Sequence, residues 1–309
     1  MRRKVILLII AFCFFSAGIF FSYEAYKSYQ AGKILAKRKA AWLALEKKLK
    51  TKALHFPGTV SIVVKDLDTG WEITRNEEVA LPAASLVKIP IMLSYFYAAQ
   101  EGRISLKDVL VLKGSDKVAG SKVLGNFPAG SRFQVADLLD PMITQSDNSA
   151  TNLLISYLGF DTLNAYFKKL GLKDTNLVRK MMDFSKRRRG QENYTTARDM
   201  AFLLEKLYHK DFLNKEVSEQ CLILLGEQKI NDRIPKKLPK DGAFIAHKTG
   251  LERRICHDVG IVYTRKGDFL ICVLVRHKSK TAGSAKKLIS DIALSAYNYY
   301  QNQSARGYN

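Results

Sequence analysis

The sequence predicts an α/β protein in which one sheet is assembled from both ends of the chain and packs against a lobe made of helices. Three observations lead there. Two strand-like runs lie early, at residues 59–64 and 71–74. A middle block, residues 85–225, carries its apolar residues mostly at helical spacing. Three further strand-like runs, 243–248, 257–264 and 269–276, precede a closing helical pattern at 285–300. Early and late strands can share a sheet only if the ends of the chain meet, which leaves the middle block to form a second layer. With 309 residues, 47% of them hydrophobic, the chain has enough apolar material for such a core.

The first element is apolar. Met1, Arg2, Arg3 and Lys4 precede an uncharged run at residues 5–23. At about 1.5 Å per helical residue the run is about 28 Å long, close to the hydrocarbon thickness of a bilayer. A cleavable signal peptide has a shorter apolar stretch and a small-residue cleavage site, and no clear site follows here. One uncleaved membrane anchor over residues 1–23 is therefore expected, then a basic juxtamembrane stalk at 24–40 and a folded domain at 41–309. Lys27, Lys33, Lys37, Arg38 and Lys39 nearly balance the N-terminal basic residues, so the positive-inside count leaves the orientation open. Trp42, Leu45 and Leu49 recur at helical spacing and predict a helix that packs on that domain.

The strand at residues 59–64 leads through Asp68, Thr69 and Gly70, a turn sequence, into the second strand. Ser85 follows Pro82, Ala83 and Ala84 and opens an apolar helical run, which puts it at or near a helix N-terminus. Loops at 114–130 and 183–194 break the helical block. Cys256 and Cys272 fall in consecutive strands joined near Lys266 and Gly267, at positions that do not face each other. With Cys13 in the apolar run and Cys221 in a helical pattern, the four cysteines form no disulfide framework and are expected to be free.

Fifty Lys and Arg against 29 Asp and Glu give a formal charge of +21, which suits an anionic lipid surface, a charged wall polymer or simply a basic solvated surface. Zinc-finger spacing and an aromatic RNA-binding strand are both absent, so no nucleic-acid partner is expected. The histidines (His55, His209, His247, His257 and His277) lack metal-ligand spacing, and there is no G-x-S-x-G elbow, P-loop or G-x-G-x-x-G. No metal and no cofactor are expected.

Three short motifs carry chemistry: Ser85-Leu86-Val87-Lys88, Ser146-Asp147-Asn148 and Lys248-Thr249-Gly250. The first places a hydroxyl and an amine on one helix face. An S-x-x-K pattern recurs at Ser284 and Lys287, and alone it also reads as an N-cap serine beside a solvated lysine. The second motif alone is an apt capping segment. The third ends a predicted strand with a glycine that lets another group lie close. A lysine acts as a base only when neutral, and its ordinary pKa is about 10.4; burial and a second cation, here Lys248, would push it down.

Together with the stretch Thr144-Gln145-Ser146-Asp147-Asn148-Ser149-Ala150-Thr151-Asn152-Leu153-Leu154, these motifs resemble the penicillin-recognising serine hydrolases, above all the class A β-lactamases, over residues 40–300. The resemblance implies a β-lactamase/transpeptidase-like fold, an antiparallel five-stranded sheet flanked by helices plus an all-α lobe. It implies Ser85 as nucleophile, Lys88 as its base, and Ser146 as proton relay to the leaving nitrogen. Asn148 would bind the substrate amide, Lys248 and Thr249 its carboxylate, and the backbone N–H groups of Ser85 and Leu251 would form an oxyanion hole. Arg253 or Arg254 would add to carboxylate binding or stand as surface charge.

Two departures stand out. The E-x-x-L-N stretch that supplies the deacylating glutamate in that family is missing; Asp183, or less naturally Glu192 with Asn193, is the candidate in its place. Position 251 is leucine, where the family usually has a small residue. The leading expectation is a β-lactamase-like hydrolase working through an acyl-Ser85 intermediate. The alternative is a D-alanyl-D-alanine carboxypeptidase or esterase that releases β-lactams slowly, and a third reading is a non-catalytic wall- or lipid-binding protein. The substrate class, a small β-lactam or a peptidoglycan peptide, places the domain outside the cell membrane, and a monomer is expected.

Overall fold

The computed structural model describes residues 2–303, with side chains from Phe15 onward except that of residue 17. Helix α1 runs without a break over Arg2–Leu54. The expected anchor, stalk and amphipathic segment are therefore consecutive stretches of one helix. Most of the expected membrane-crossing run, Cys13 included, lies outside the described side chains. Among the described residues no helix is long and apolar enough to cross a membrane. The chain divides into one unit up to Lys48 and a second from Leu49 onward. The second unit holds all three motifs.

That unit opens with β1 (Gly58–Asp66), β2 (Glu72–Arg75) and the short β3 (Leu81–Pro82). The helical block comprises α2 (Lys88–Gln100), α3 (Val135–Thr144), α4 (Asn148–Leu158), α5 (Phe160–Lys169), α6 (Phe184–Arg188), α7 (Ala197–Tyr208) and α8 (Lys215–Gly226), interrupted by β4 (Val109–Val111), β5 (Arg132–Gln134) and β6 (Tyr194–Thr195). It closes with β7 (Ala243–Glu252), β8 (Ile255–Thr264), β9 (Phe269–His277) and α9 (Gly283–Gln301).

The five long strands form one sheet in the order β2-β1-β9-β8-β7, antiparallel at every junction. The N-terminal strand β1 pairs with the C-terminal strand β9, from Gly58 opposite His277 to Asp66 opposite Phe269. Strands β8 and β9 are buried along most of their length, as strands covered on both faces must be. Helices α7 and α9 contact both of them. In the helical lobe α2 is buried almost all round, from Lys88 through Phe96. Such a helix belongs to a core, not to a surface. Pro90 is harmless there because the first turn has spare N–H groups.

Strands β1, β7, β8 and β9 lie where the sequence places them but extend further, and β2 is displaced by one residue from the expected 71–74. Strand β7 continues through Leu251 and Glu252, so the Lys248-Thr249-Gly250 triplet lies inside it. Two short ladders, β3 with β6 and β4 with β5, escape sequence reading because two or three residues show no periodicity. Cys256 faces Val275 and Cys272 faces Val259, and both, like Cys221, are buried and free.

One glycine sets how closely β7 and β8 approach. A Cβ on Gly260 would lie 2.5 Å from the His247 Cβ and 2.6 Å from the Ala246 carbonyl oxygen. Backbone cannot yield as a side chain does. Gly260→Ala is therefore expected to lower stability by about 1–3 kcal/mol, read from the shift in urea midpoint.

Candidate active site

Ser85 lies in a single 3-10 turn, Ala84–Val87, that runs into α2, so the helix proper begins at Lys88 and not at the serine. The turn is held from three sides. Leu81 pairs with Thr195, and the Ala83 N–H donates to the Asn193 carbonyl at 2.7 Å. The His257 Nε2–H donates to the Pro82 carbonyl at 2.9 Å. His257 Nδ1 accepts the Val275 N–H at 3.0 Å, which fixes the ring proton on Nε2. Burial pushes the His257 pKa down to about 4, against the favourable Pro82 contact, so the tether stays neutral at ordinary pH.

Leu86 rests on β7. A Cβ at Gly250 would stand 3.3 Å from the Leu86 Cγ and as close to His257, so glycine gives the turn its seat on the strand. Ala84 adopts φ 46°, a left-handed conformation costly for a residue with a Cβ. Strain of this kind persists only where surrounding contacts impose it. The three residues after Ser85 are fully buried, whereas Ser85 itself reaches solvent.

The first and second motifs meet through Lys88. Its Nζ donates to the Ser146 carbonyl at 2.7 Å and Asn148 Oδ1 at 2.9 Å, and lies 3.2 Å from Ser146 Oγ. The third motif arrives from the other side: Lys248 Nζ is 3.0 Å from Ser146 Oγ and 3.0 Å from the Thr249 carbonyl. Two buried amines thus share one hydroxyl. Burial, then the charge of Lys248, hold the Lys88 pKa well below the ordinary lysine value, with the Asp147 carboxylate opposing. Burial likewise takes Lys248 down to about 7, opposed by Asp258 and reinforced by Arg233. A neutral amine can accept the Ser146 proton while a charged one donates to the same oxygen, so one hydroxyl bridges the two amines.

Ser146 sits at a corner with φ 58°, and Asp147 holds that corner. One Asp147 oxygen caps α4 through the Ala150 N–H at 2.9 Å; the other accepts the Val123 and Leu124 N–H groups at 2.9 and 3.1 Å. Asn148 spends its amide N–H on the Ala119 carbonyl at 2.9 Å. Thr249 is buried, and Leu251 is 50% exposed on the open edge of the sheet. Among the described residues the Ser85 hydroxyl carries no hydrogen bond, leaving its oxygen free for a substrate.

The candidate deacylation carboxylates are engaged elsewhere. Asp183 Oδ1 caps α6 through the Lys186 N–H at 3.0 Å. Glu192 is bound by Arg179 at 2.6 Å and by Arg187 at 3.0 Å. Both arginines also reach Glu252, at 2.7 and 3.1 Å, tying the 179–193 loop to the end of β7. Arg179 is 1% exposed in this four-residue cluster. Arg179→Met would strip buried Glu192 and part-buried Glu252 of their main partner, and a loss of about 3–5 kcal/mol is expected in chemical denaturation.

Sequence reading missed this cluster, because its members are scattered along the chain, with Glu192 noted only as a possible deacylation residue and the others having the look of ordinary surface charges. It also missed Asn152, whose side chain brackets Met181 by accepting its N–H at 2.7 Å and donating to its carbonyl at 3.1 Å. The signal was available: Asn152 follows Asn148 by one helical turn on the same face. The second S-x-x-K copy is a surface pair, with Lys287 71% exposed and bound to Asp291. Among the described residues no group of His, Cys, Asp and Glu could hold a metal.

The profile of the beta-lactamase enzyme family matches residues 44–300. The chain is 25% identical over 242 residues to beta-lactamase VEB-1 of Pseudomonas aeruginosa, covering 74% of this chain and 81% of that one. Among solved structures it is similar to a beta-lactamase from Sphaerobacter thermophilus, at TM-score 0.74 and 29% identity over 85% of this chain and 97% of the other. It is also similar to PBP-A, at TM-score 0.77 and 27% identity over 84% and 96%. The L158E mutant of PBP-A, an acyl-enzyme complex with penicillin G, superimposes with the same TM-score, 0.77.

Proposed function

The chain belongs to the beta-lactamase enzyme family, and from that membership we propose that it opens cyclic or D-alanyl amides by acyl transfer to Ser85. Neutral Lys88 takes the Ser85 proton as Oγ attacks the carbonyl carbon. The C–N bond then breaks, and Ser146 passes a proton to the leaving nitrogen while drawing one from the adjoining amine. Charged Lys248, with Thr249, holds the substrate carboxylate. Backbone N–H groups of Ser85 and Leu251 receive the developing oxyanion, a donor set in which each member is worth about 10²–10³ in rate. The observation that carries this reading is the pair of lysine amines at 3.2 and 3.0 Å from one hydroxyl beside the Ser85 turn.

Release of the acyl group is the slow half of the cycle. Among the described residues no carboxylate is hydrogen-bonded to Ser85, Lys88 or Ser146, and both candidates, Asp183 and Glu192, have structural partners. A missing general base costs about 10²–10⁴ on its step. The chain therefore acts as a penicillin-binding acyl-enzyme more than as a fast β-lactamase, in line with a PBP-A variant that forms a penicillin G acyl-enzyme.

Intact-mass spectrometry over time with benzylpenicillin tests both halves. A stoichiometric adduct that persists is expected, with the same lifetime in Asp183→Ala. Rapid loss of the adduct with many turnovers restores the resistance-enzyme reading, and a longer-lived adduct in Asp183→Ala returns the base role to that residue. Membrane anchorage with the domain outside the cell is part of the proposal. Anchorage rests on the apolar run at residues 5–23, and the outside placement on the expected substrate, since the positive-inside count leaves the orientation open. Retention in the membrane pellet after alkaline carbonate extraction is the expected behaviour.

A further inference from the structure

Beyond the acylation site, and independent of it, we propose that the cleft lined by Gly58, Thr59, Arg254, Arg276, His277 and Lys278 binds a phosphate-type oxyanion. The cleft has a volume of about 380 Å³. It lies where β1 begins, β9 ends and the β7 to β8 hairpin turns. Three permanent or near-permanent cations line it, and no carboxylate does. Among the described residues none of the three stands within ion-pair distance of an Asp or Glu. Like charges held around one concavity repel, and a bound anion removes that cost while gaining charge-assisted hydrogen bonds.

The backbone of the walls is set by the sheet. Arg276 stands opposite Thr59 and Ile255 in the ladder, and its guanidinium donates to Thr59 Oγ1 at 3.2 Å. Gly58 lets β1 press against β9, since a Cβ there would fall 2.1 Å from the Arg276 carbonyl oxygen. Arg254 is held at φ 63°, and its carbonyl accepts the His277 N–H at 2.9 Å. A bulky residue held in the left-handed region marks a backbone set by its surroundings.

His277 supplies a second, independent indication. It is 3% exposed, and its Nδ1 faces the Ser279 carbonyl at 3.2 Å. Its Nε2 is buried without a hydrogen-bond partner, an unusual and costly state. With Nδ1–H donating to the Ser279 carbonyl, Nε2 is an acceptor, and a monoprotonated phosphate can donate its O–H to it. Planar guanidinium groups matched to a tetrahedral oxyanion select phosphate over a simple halide.

The test is calorimetric titration of the full chain, in zwitterionic detergent at low ionic strength, with inorganic phosphate. Saturable one-site binding is expected. It should weaken by at least about tenfold in Arg276→Gln/Lys278→Gln, the size expected for two lost charged hydrogen bonds. The charge-matched variant Lys107→Gln/Lys168→Gln, remote in sequence from the cleft, should retain it within about twofold. No saturable binding, or equal loss in both variants, overturns the proposal. Vesicle sedimentation distinguishes sources. If the excess binding to phosphatidylglycerol over phosphatidylcholine vesicles falls selectively in the cleft variant, the ligand is a lipid headgroup. If that excess is unchanged while inorganic phosphate binding is lost, it is a soluble phosphate. An unaltered thermal transition in both variants shows that folding is not the cause.

Discussion

Ser85→Ala is expected to abolish the covalent benzylpenicillin adduct altogether while changing the unfolding free energy by less than about 0.5 kcal/mol. Both halves follow from the turn. The Ser85 oxygen reaches solvent and makes no hydrogen bond among the described residues, so removing it orphans nothing. The turn's hold on its neighbours runs through Leu86, the Ala83 N–H and the Pro82 carbonyl, all of which the variant keeps. Ser146 cannot substitute as nucleophile, because its oxygen is fixed between two amines. Intact-mass spectrometry checks the adduct and calorimetry the stability. A surviving adduct on the variant would relocate the nucleophile and end the acyl-Ser85 assignment.

Lys88→Met should slow acylation by about 10²–10⁴-fold. It should also destabilise the fold, since the Ser146 carbonyl and Asn148 Oδ1 lose their donor. The pH profile separates chemistry from packing. Acylation requires Lys88 neutral and Lys248 charged. Burial and the Lys248 charge hold the Lys88 pKa well below the ordinary lysine value, and the rate climbs as Lys88 loses its proton. As pH passes about 7 Lys248 discharges, its grip on the substrate carboxylate weakens and the rate falls. The two limbs belong to the coupled pair and not to either residue alone. Lys248→Arg keeps its charge across the range, and the falling limb should vanish in stopped-flow acylation assays. Persistence of that limb would remove Lys248 from the carboxylate-binding role.

The motif residues were legible because each rests on a local pattern. Lys88 stands three residues after Ser85, Asp147 is an apt N-cap, and Gly250 marks a close approach; the structure adds which groups they meet. The Leu86 side chain fills the space at Gly250, and Asp147 reaches back to residues 123 and 124. The sheet was legible for the same reason, since β9 is a nearly continuous apolar run and β1 and β8 are rich in Val and Ile. What stayed hidden is non-local. Arg179, Arg187 and Glu252 read singly as surface charges and Glu192 as a possible deacylation base, and only the fold gathers the four into one cluster around buried Arg179. Ser85 as the first residue of α2 was the natural reading of a serine before an apolar run. The tethers on Ala83 and Pro82 tighten that segment into a separate turn instead.

The pairing of β1 with β9 imposes a schedule on biosynthesis. Gly58 leaves the ribosome long before His277, its partner in the ladder. At about 5–20 residues per second, β1 waits ten seconds or more with one of its edges open. Lys248 emerges late as well, so no nascent chain carries a complete catalytic apparatus until translation is nearly over. During that interval the apolar β1 is a substrate for chaperones and proteases. A premature stop anywhere before β9 yields not a weak enzyme but an unfinished sheet.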